Sequence, residues 1–387
     1  MPSPHDPFVD AALRSRALQP AEALAAEASS LEEGRPPAEA LRAMVALFGE
    51  RGLLRLVTDE DFGGAFEDTS SRALCLARET LGRASPLADL AFAMQGLGSY
   101  PITFAARAHG ATEPASRWLP PIVAGRFVAA FALTEPEAGT DLGGIAARAE
   151  RTADGYRLRG RKVFISNAGI ADTHVVFAVT APDAPRRRLS AFVVPADAPG
   201  LSTRATRVLG GHPIGELHLD DVPVPEGDRL GPEGAGLAIA LATLHRFRPT
   251  VGAAAVGFAQ RALDEALAHV KRRHQFGAPL AELPLVQARL GEMACELEAA
   301  RMLVYRAAWM ADVRAPRSEV TRTSSMAKLV ATEAAQQIID SALQLHGGRG
   351  VLADGIVARL YQEVRALRIY EGTNDIHKIL IARELLR

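Results

Sequence analysis

Glu371 stands in the run RIYEGTNDIH, residues 368–377, between the apolar pair Ile369-Tyr370 and the flexible pair Gly372-Thr373. A carboxylate beside an apolar wall is a candidate general base, because a dry setting raises its pKa toward neutrality. The same ten residues also read as the start of a helix. Thr373 or Asn374 is a good N-cap for the helix that DIHKILIARELL suggests, and acidic residues are favoured at helix N-termini. On these ten residues alone the helix start is the simpler reading.

Four further stretches carry residue types with chemical potential. ALTEPEAGTD (132–141) sets Gly139 and Thr140 between Glu135 and Asp141. Its backbone N–H groups, hydroxyls and tight turn suit a phosphate or a polar ring edge. GRKVFISNAGIAD (160–172) puts Phe164 and Ser166 on one face of a strand. RRHQFG (272–277) reads as a helix C-terminus whose basic residues complement the dipole, with Gly277 as cap. QLHGGRG (344–350) is glycine-rich but follows a helix, so the strand-first dinucleotide fingerprint is not met. No Walker loop, zinc spacing or serine-hydrolase elbow is present. Taken singly, each stretch has an ordinary structural reading.

The elements that must position these residues follow from hydrophobic period. Residues 1–127 are Ala/Leu-rich with helical spacing, 128–232 turn to short β-branched strands, and 233–387 are helical again. In the last region Val286, Leu290, Met293, Leu297, Ala300 and Val304 recur at steps of four and three, one continuous apolar face. Long helices joined by short loops imply an antiparallel bundle. A length of 387 residues suits two or three domains, with 48% hydrophobic and 23% charged residues typical of a globular protein. The net charge of −1 gives no electrostatic footprint for nucleic acid or an anionic membrane. Cys75 and Cys295 read as buried thiols of a reducing compartment. The N-terminus lacks a signal-peptide core, and the most apolar stretch is broken by His245, Arg246 and Arg248, so a cytoplasmic location is expected.

In their order along the chain, LTEPEAGTD, KVFISNAGIAD, RRHQFGAPLAELPLVQ, ARMLVYRAAW, QLHGGRG and IYEGTNDIH resemble the acyl-CoA dehydrogenase family, from about residue 40 to the C-terminus. DEDFGG (59–64) stands where the family usually has Pro-Glu-Glu-Tyr-Gly-Gly. The resemblance implies an α+β, mostly α fold: an N-terminal helical domain, a middle β-barrel and a C-terminal four-helix bundle. It also implies an FAD flavoprotein oxidoreductase of fatty acid or amino acid catabolism, assembled as a homo-oligomer. That assembly would be a dimer or a dimer of dimers, a homotetramer in the latter case, with electron-transfer flavoprotein as electron acceptor.

Carried over by motif, Phe131, Leu133 and Thr134 would line the isoalloxazine ring, with Gly139 and Thr140 beside it. Phe164 and Ser166 would cover its other side. Arg273 and Phe276 would reach the FAD of a neighbouring subunit, Gln344, Gly347 and Gly348 its adenosine-diphosphate half, and Thr373 and Asp375 the dinucleotide near a helix start. Thr140, Arg248 and Tyr370 would meet the acyl-CoA. Glu371 would remove the α-proton of the thioester as hydride leaves the β-carbon, giving a trans-2-enoyl-CoA. A minority of the family carry the base just before the arginine matching Arg248; here that position is Phe247, which takes no proton. Asp375 is shorter than the family's usual Glu or Gln. An oxidase passing electrons to oxygen, a dehydrogenase of carrier-protein thioesters and a non-catalytic flavin binder are the alternative readings. LADLAFAMQGLG (87–98), which would line the far end of the pocket, is mainly apolar and has no arginine for a distal carboxylate.

Overall fold

The computed structural model describes residues 7–184 and 188–387. Helices α1 (Ala11–Leu13) and α2 (Gln19–Ser30), joined by a π-turn at Arg14–Leu18, come first, then α3 (Pro37–Glu50), α4 (Ser71–Ala84), α5 (Pro86–His109) and α6 (Thr112–Val123). Strands follow: β1 (Ala129–Ala132), β2 (Arg148–Thr152), β3 (Gly155–Ser166), β4 (Thr173–Val179), β5 (Leu189–Pro195), β6 (Leu201–Ala205) and β7 (Ile214–Pro225). The chain then returns to helix: α7 (Gly236–Arg272), a small hairpin of β8 (His274–Gln275) and β9 (Ala278–Pro279), α8 (Pro284–Asp312), α9 (Arg317–His346), α10 (Ile356–Leu367) and α11 (Asn374–Leu385). This is the helical, strand, helical order that the periods predict.

By contacts the chain groups into two compact units, one holding residues up to Ser29 with Ser70–Asp89 and Arg246–Arg387, the other Ser30–Thr69 with Leu90–His245. The second unit contains a seven-stranded sheet in the order β1-β4-β2-β3-β7-β6, with β5 on β4. β1 and β4 run parallel, while β2-β3, β3-β7 and β4-β5 are antiparallel. Ala153-Asp154 turns the β2-β3 hairpin, with Thr152 opposite Gly155, the first residue of β3. The core of this unit gathers Ile102, Trp118, Leu119, Ile122, Phe177 and Val193, all buried.

In the first unit α8 packs on α9, and α9 on α10 and α11. The apolar face of α8 is fully buried at Met293, Leu297, Ala300 and Val304, while Val286 and Leu290 at its start are half-buried. Two expectations need correction here. Cys295 is exposed, because it points away from the 293–297–300 stripe; only Cys75 is buried. α7 stops at Arg272, before Gly277: residues 274–279 form a hairpin, and both Phe276 (φ 54°) and Gly277 (φ 83°) at its turn are left-handed. Among the described residues, no helix is long and apolar enough to cross a membrane.

Candidate active site

Two groups of sequence-predicted residues come together, one in each unit. In the strand-containing unit, Phe131 packs its ring 5.0 Å from Phe177. The Val163 N–H donates to Thr134 O (2.9 Å), joining the end of β1 to β3. Lys162, wholly buried, donates to Leu133 O (3.1 Å) and to Glu135 Oε1 (2.7 Å), and Glu135 also accepts from the N–H groups of Ala146 and Ala147. Glu135 is thus a structural clamp for the 135–141 turn, which leaves Gly139 and Thr140 exposed at its tip. A register shift between Lys162 and Ile165 bulges β3 and holds Phe164 left-handed (φ 55°), its ring 62% exposed, with Ser166 half-buried two residues on. An exposed aromatic on a bulge is a side chain re-aimed for contact.

In the helical unit the ends of α7 and α9 meet through the stacked rings of His269 and His346, 4.4 Å apart. That contact brings the RRHQFG and QLHGG runs together. Arg273, Phe276, Gln344, Gly347 and Gly348 are exposed, Phe276 to 93%. A Cβ on Gly139, Gly277, Gly347 or Gly348 would meet nothing within 4 Å. Within the helical unit, open glycine backbone at Gly347 and Gly348, the exposed Phe276 ring and the exposed Arg273 are of a kind that fits a dinucleotide such as FAD.

Local geometry separates Glu371 from the helix start. Thr373 caps α11, accepting from the Ile376 N–H at 3.4 Å, so the helix start is real. Glu371 is not its cap. It lies two residues earlier in left-handed backbone (φ 54°), followed by Gly372 (φ 93°), and Oε2 is shielded from water with no hydrogen-bond partner among the described residues. Left-handed backbone at a non-glycine residue costs about 1–3 kcal/mol and persists only where surroundings impose it.

The surroundings are polar and come from α9. Lys328 Nζ donates to Gly372 O (2.9 Å) and Asn374 Oδ1 (2.8 Å). Asn374 Nδ2 donates to Thr332 Oγ1 (3.0 Å) and Glu333 Oε1 (2.8 Å), and Glu333 pairs with Arg368 at 2.7 Å. Burial pushes the Glu371 carboxyl up to about 7; Arg78, then Arg248 and Lys328, oppose that rise, and Asp89 adds to it. Arg248 is itself 5% exposed, with Nε and Nη1 shielded and without partners among the described residues, and burial holds it below its ordinary value. Tyr370 and Ile369, at 38% and 53% exposure, form the apolar flank. Asp375 is exposed and bonds Lys378 at 3.2 Å.

Three comparisons bear on this arrangement. Family models described as acyl-CoA dehydrogenase N-terminal, middle and C-terminal domains match residues 11–126, 130–222 and 234–386. The chain belongs to the acyl-CoA dehydrogenase family. A cyclohexane-1-carbonyl-CoA dehydrogenase of Geobacter metallireducens is 38% identical over 347 residues, 89% of each chain. Butyryl-CoA dehydrogenase from Megasphaera elsdenii is 31% identical with a TM-score of 0.88, covering 98% of this chain and 99% of that one. A glutaryl-CoA dehydrogenase from Mycobacterium smegmatis, solved in complex with FADH2, is 26% identical with a TM-score of 0.84, covering 99% and 96%. Like its relatives, this acyl-CoA dehydrogenase family member is an oxidoreductase, and its seven-stranded middle sheet is the half-barrel of that fold.

The motif reading missed the buried charges around Glu371. Arg78 and Asp89 form a two-pronged ion pair (2.7 and 2.8 Å), and Arg78 Nη1 also reaches Thr250 Oγ1 at 2.9 Å. A signal was available. Arg78 falls three to four residues from Leu74 and Leu81, and Lys328 four residues from Ser324 and Thr332, so each lies on an inward face.

Proposed function

We propose that this chain is an FAD-dependent acyl-CoA dehydrogenase in which Glu371 removes the α-proton of an acyl-CoA thioester to give a trans-2-enoyl-CoA. The observation that carries this reading is the carboxylate itself: on left-handed backbone, shielded at Oε2, which has no hydrogen-bond partner among the described residues, and raised to about 7. An α-C–H beside a thioester is a very weak acid. Its removal calls for a base in a dry site and donors on the carbonyl oxygen where charge builds. The backbone N–H of Glu371 is such a donor, and the shielding of Oε2 keeps water from the carboxylate. Phe247, fully buried, leaves Glu371 without a rival base. Arg248 and Arg78 stabilise the ionised carboxylate, and Arg248 also serves the CoA side of the site. When bound, FAD supplies the acceptor for the β-hydride.

Phe131, Leu133, Thr134, Gly139, Thr140, Phe164 and Ser166 hold the flavin ring, with Thr140 and Tyr370 also meeting substrate. Gln344, Gly347, Gly348, Thr373 and Asp375 hold the dinucleotide, Asp375 through the shortest reach. Arg273 and Phe276 serve the flavin of a neighbouring subunit, which explains a nearly bare Phe276 in an isolated chain. In this reading the chain works as three consecutive domains (1–127, 128–232, 233–387), in a dimer or dimer of dimers, in the cytoplasm, with electron-transfer flavoprotein as acceptor. Anaerobic flavin bleaching with a panel of acyl-CoAs, repeated in air, tests activity, chain preference and oxygen reactivity together. Bleaching by none of them overturns the reading, and rapid reoxidation in air favours the oxidase.

Arg273→Ala should weaken FAD retention and oligomer stability together. A charge-assisted contact is worth roughly 1.5–3 kcal/mol, or about 10–150-fold in affinity. Unchanged FAD affinity in an intact oligomer rejects that assignment.

Glu371 also sets a pH dependence. Its pKa near 7 lies above the ordinary carboxylate value, so the base is protonated below that pH and ionised above it. In the free enzyme kcat/KM should fall about tenfold per pH unit below 7 and level off above. A profile flat from about pH 5.5 to 8, with its midpoint in the ordinary carboxylate range, contradicts a raised base.

A further inference from the structure

Lys328 is wholly buried on α9, and both oxygens its ammonium bonds, Gly372 O and Asn374 Oδ1, are neutral. Burying an ammonium on neutral partners costs several kcal/mol, and a methionine would fill the same space without that cost. Packing therefore does not account for a lysine here. Its position does. The carbonyl it holds belongs to the residue after Glu371, and the amide it holds belongs to the first residue of α11. Asn374 is fixed in turn by Thr332, one turn along α9 from Lys328, and by Glu333.

We propose that Lys328 is the positioning residue of the Glu371 base: it clamps the 371–374 turn in its left-handed form and adds its buried positive charge to those of Arg78 and Arg248 in favouring the ionised carboxylate. This inference rests on Glu371 being the base. Other charged and titratable groups also face Glu371. Burial holds the Tyr370 phenol above its ordinary value, so it stays neutral. Arg248 from α7 and Arg78 from α4 stay cationic, and Asp89 of α5 is paired to Arg78. Glu333 on α9 is paired to Arg368 at the end of α10. His377 of α11 is pushed down to about 3, chiefly by burial, and is neutral at working pH. Lys328 is pushed down to about 7, again chiefly by burial, with Glu371 opposing. Near neutrality the turn is therefore a coupled carboxylate and ammonium, and removing the cation makes the carboxylate harder to ionise.

The test compares Lys328→Met, Lys328→Gln, Lys328→Arg and Glu371→Gln in the FAD-loaded protein. The Glu371 carboxyl stretch, identified by its loss in Glu371→Gln, is titrated by difference infrared spectroscopy. Exchange of the α-proton of an arylacetyl-CoA, which has no β-hydrogen, is followed in D2O. In Lys328→Met and Lys328→Gln the carboxyl midpoint should rise by about one pH unit or more, and exchange at pH 7 should drop about fivefold or more. Lys328→Arg should keep the midpoint within about half a unit. An unmoved midpoint in the Met and Gln variants, whatever their loss of stability, makes Lys328 a plain structural residue and overturns the proposal. If Lys328→Met does not fold, Lys328→Gln decides by the same criterion. Exchange at the wild-type rate in Glu371→Gln sinks the base reading instead, so the two failures are distinguishable.

Discussion

Glu371→Gln is expected to bind FAD and acyl-CoA normally and to lose substrate-driven flavin reduction by ~10³–10⁴-fold or more. Glutamine keeps the shape and hydrogen-bonding capacity of the side chain and removes only the basic lone pair. Loss of a general base costs ~10²–10⁴-fold, and the upper end applies here because the α-proton is so weakly acidic. Phe247, the position from which some relatives would supply a base, is a buried phenyl ring. A structural glutamate would behave otherwise. Thr373, not Glu371, caps α11, so glutamine at 371 would leave the helix intact and flavin reduction near normal. A stopped-flow trace with a good acyl-CoA separates the two, since reduction within a few-fold of wild type contradicts the catalytic role.

Arg78→Met should destabilise the protein by about 3–5 kcal/mol, because it strands the Asp89 carboxylate, 3% exposed, without its cation. Both prongs of the pair are short, and Thr250 loses its donor as well. The double variant Arg78→Met/Asp89→Leu should regain most of that loss, since replacing both charges with apolar groups is often neutral. Urea unfolding of the apoprotein reads both variants. A loss below about 1 kcal/mol in the single variant contradicts a desolvated pair. The functional counterpart has a definite sign. Arg78 is the strongest influence opposing the rise of the Glu371 pKa, so its removal should move the pH midpoint of α-proton removal upward.

What was legible in the sequence follows a physical divide. Local periodicity is written residue by residue, so the 293–297–300–304 stripe and the helical, strand, helical order could be read directly. The family motifs placed Glu371 and the glycine loops. Backbone conformation that a motif does not encode was invisible: the bulge under Phe164, the hairpin after Arg272, and the left-handed turn at Glu371 itself. Buried charge left only a weak trace, its place on an inward face, for another reason. Arg78, Lys162 and Lys328 are residue types that normally face water, and only their tertiary partners make burial affordable. The grouping of Ser70–Asp89 with the C-terminal helices is likewise a long-range fact with no local signature.

The most direct test of Glu371 as the base isolates proton removal from hydride transfer and from the electron acceptor. Wild-type and Glu371→Gln protein, both FAD-loaded, are incubated in D2O with an arylacetyl-CoA, and deuterium at its α-carbon is followed by NMR. The expected result is steady exchange by the wild type, with a pH midpoint near 7, and exchange at the uncatalysed background in Glu371→Gln. Exchange by Glu371→Gln within a few-fold of the wild-type rate would contradict it.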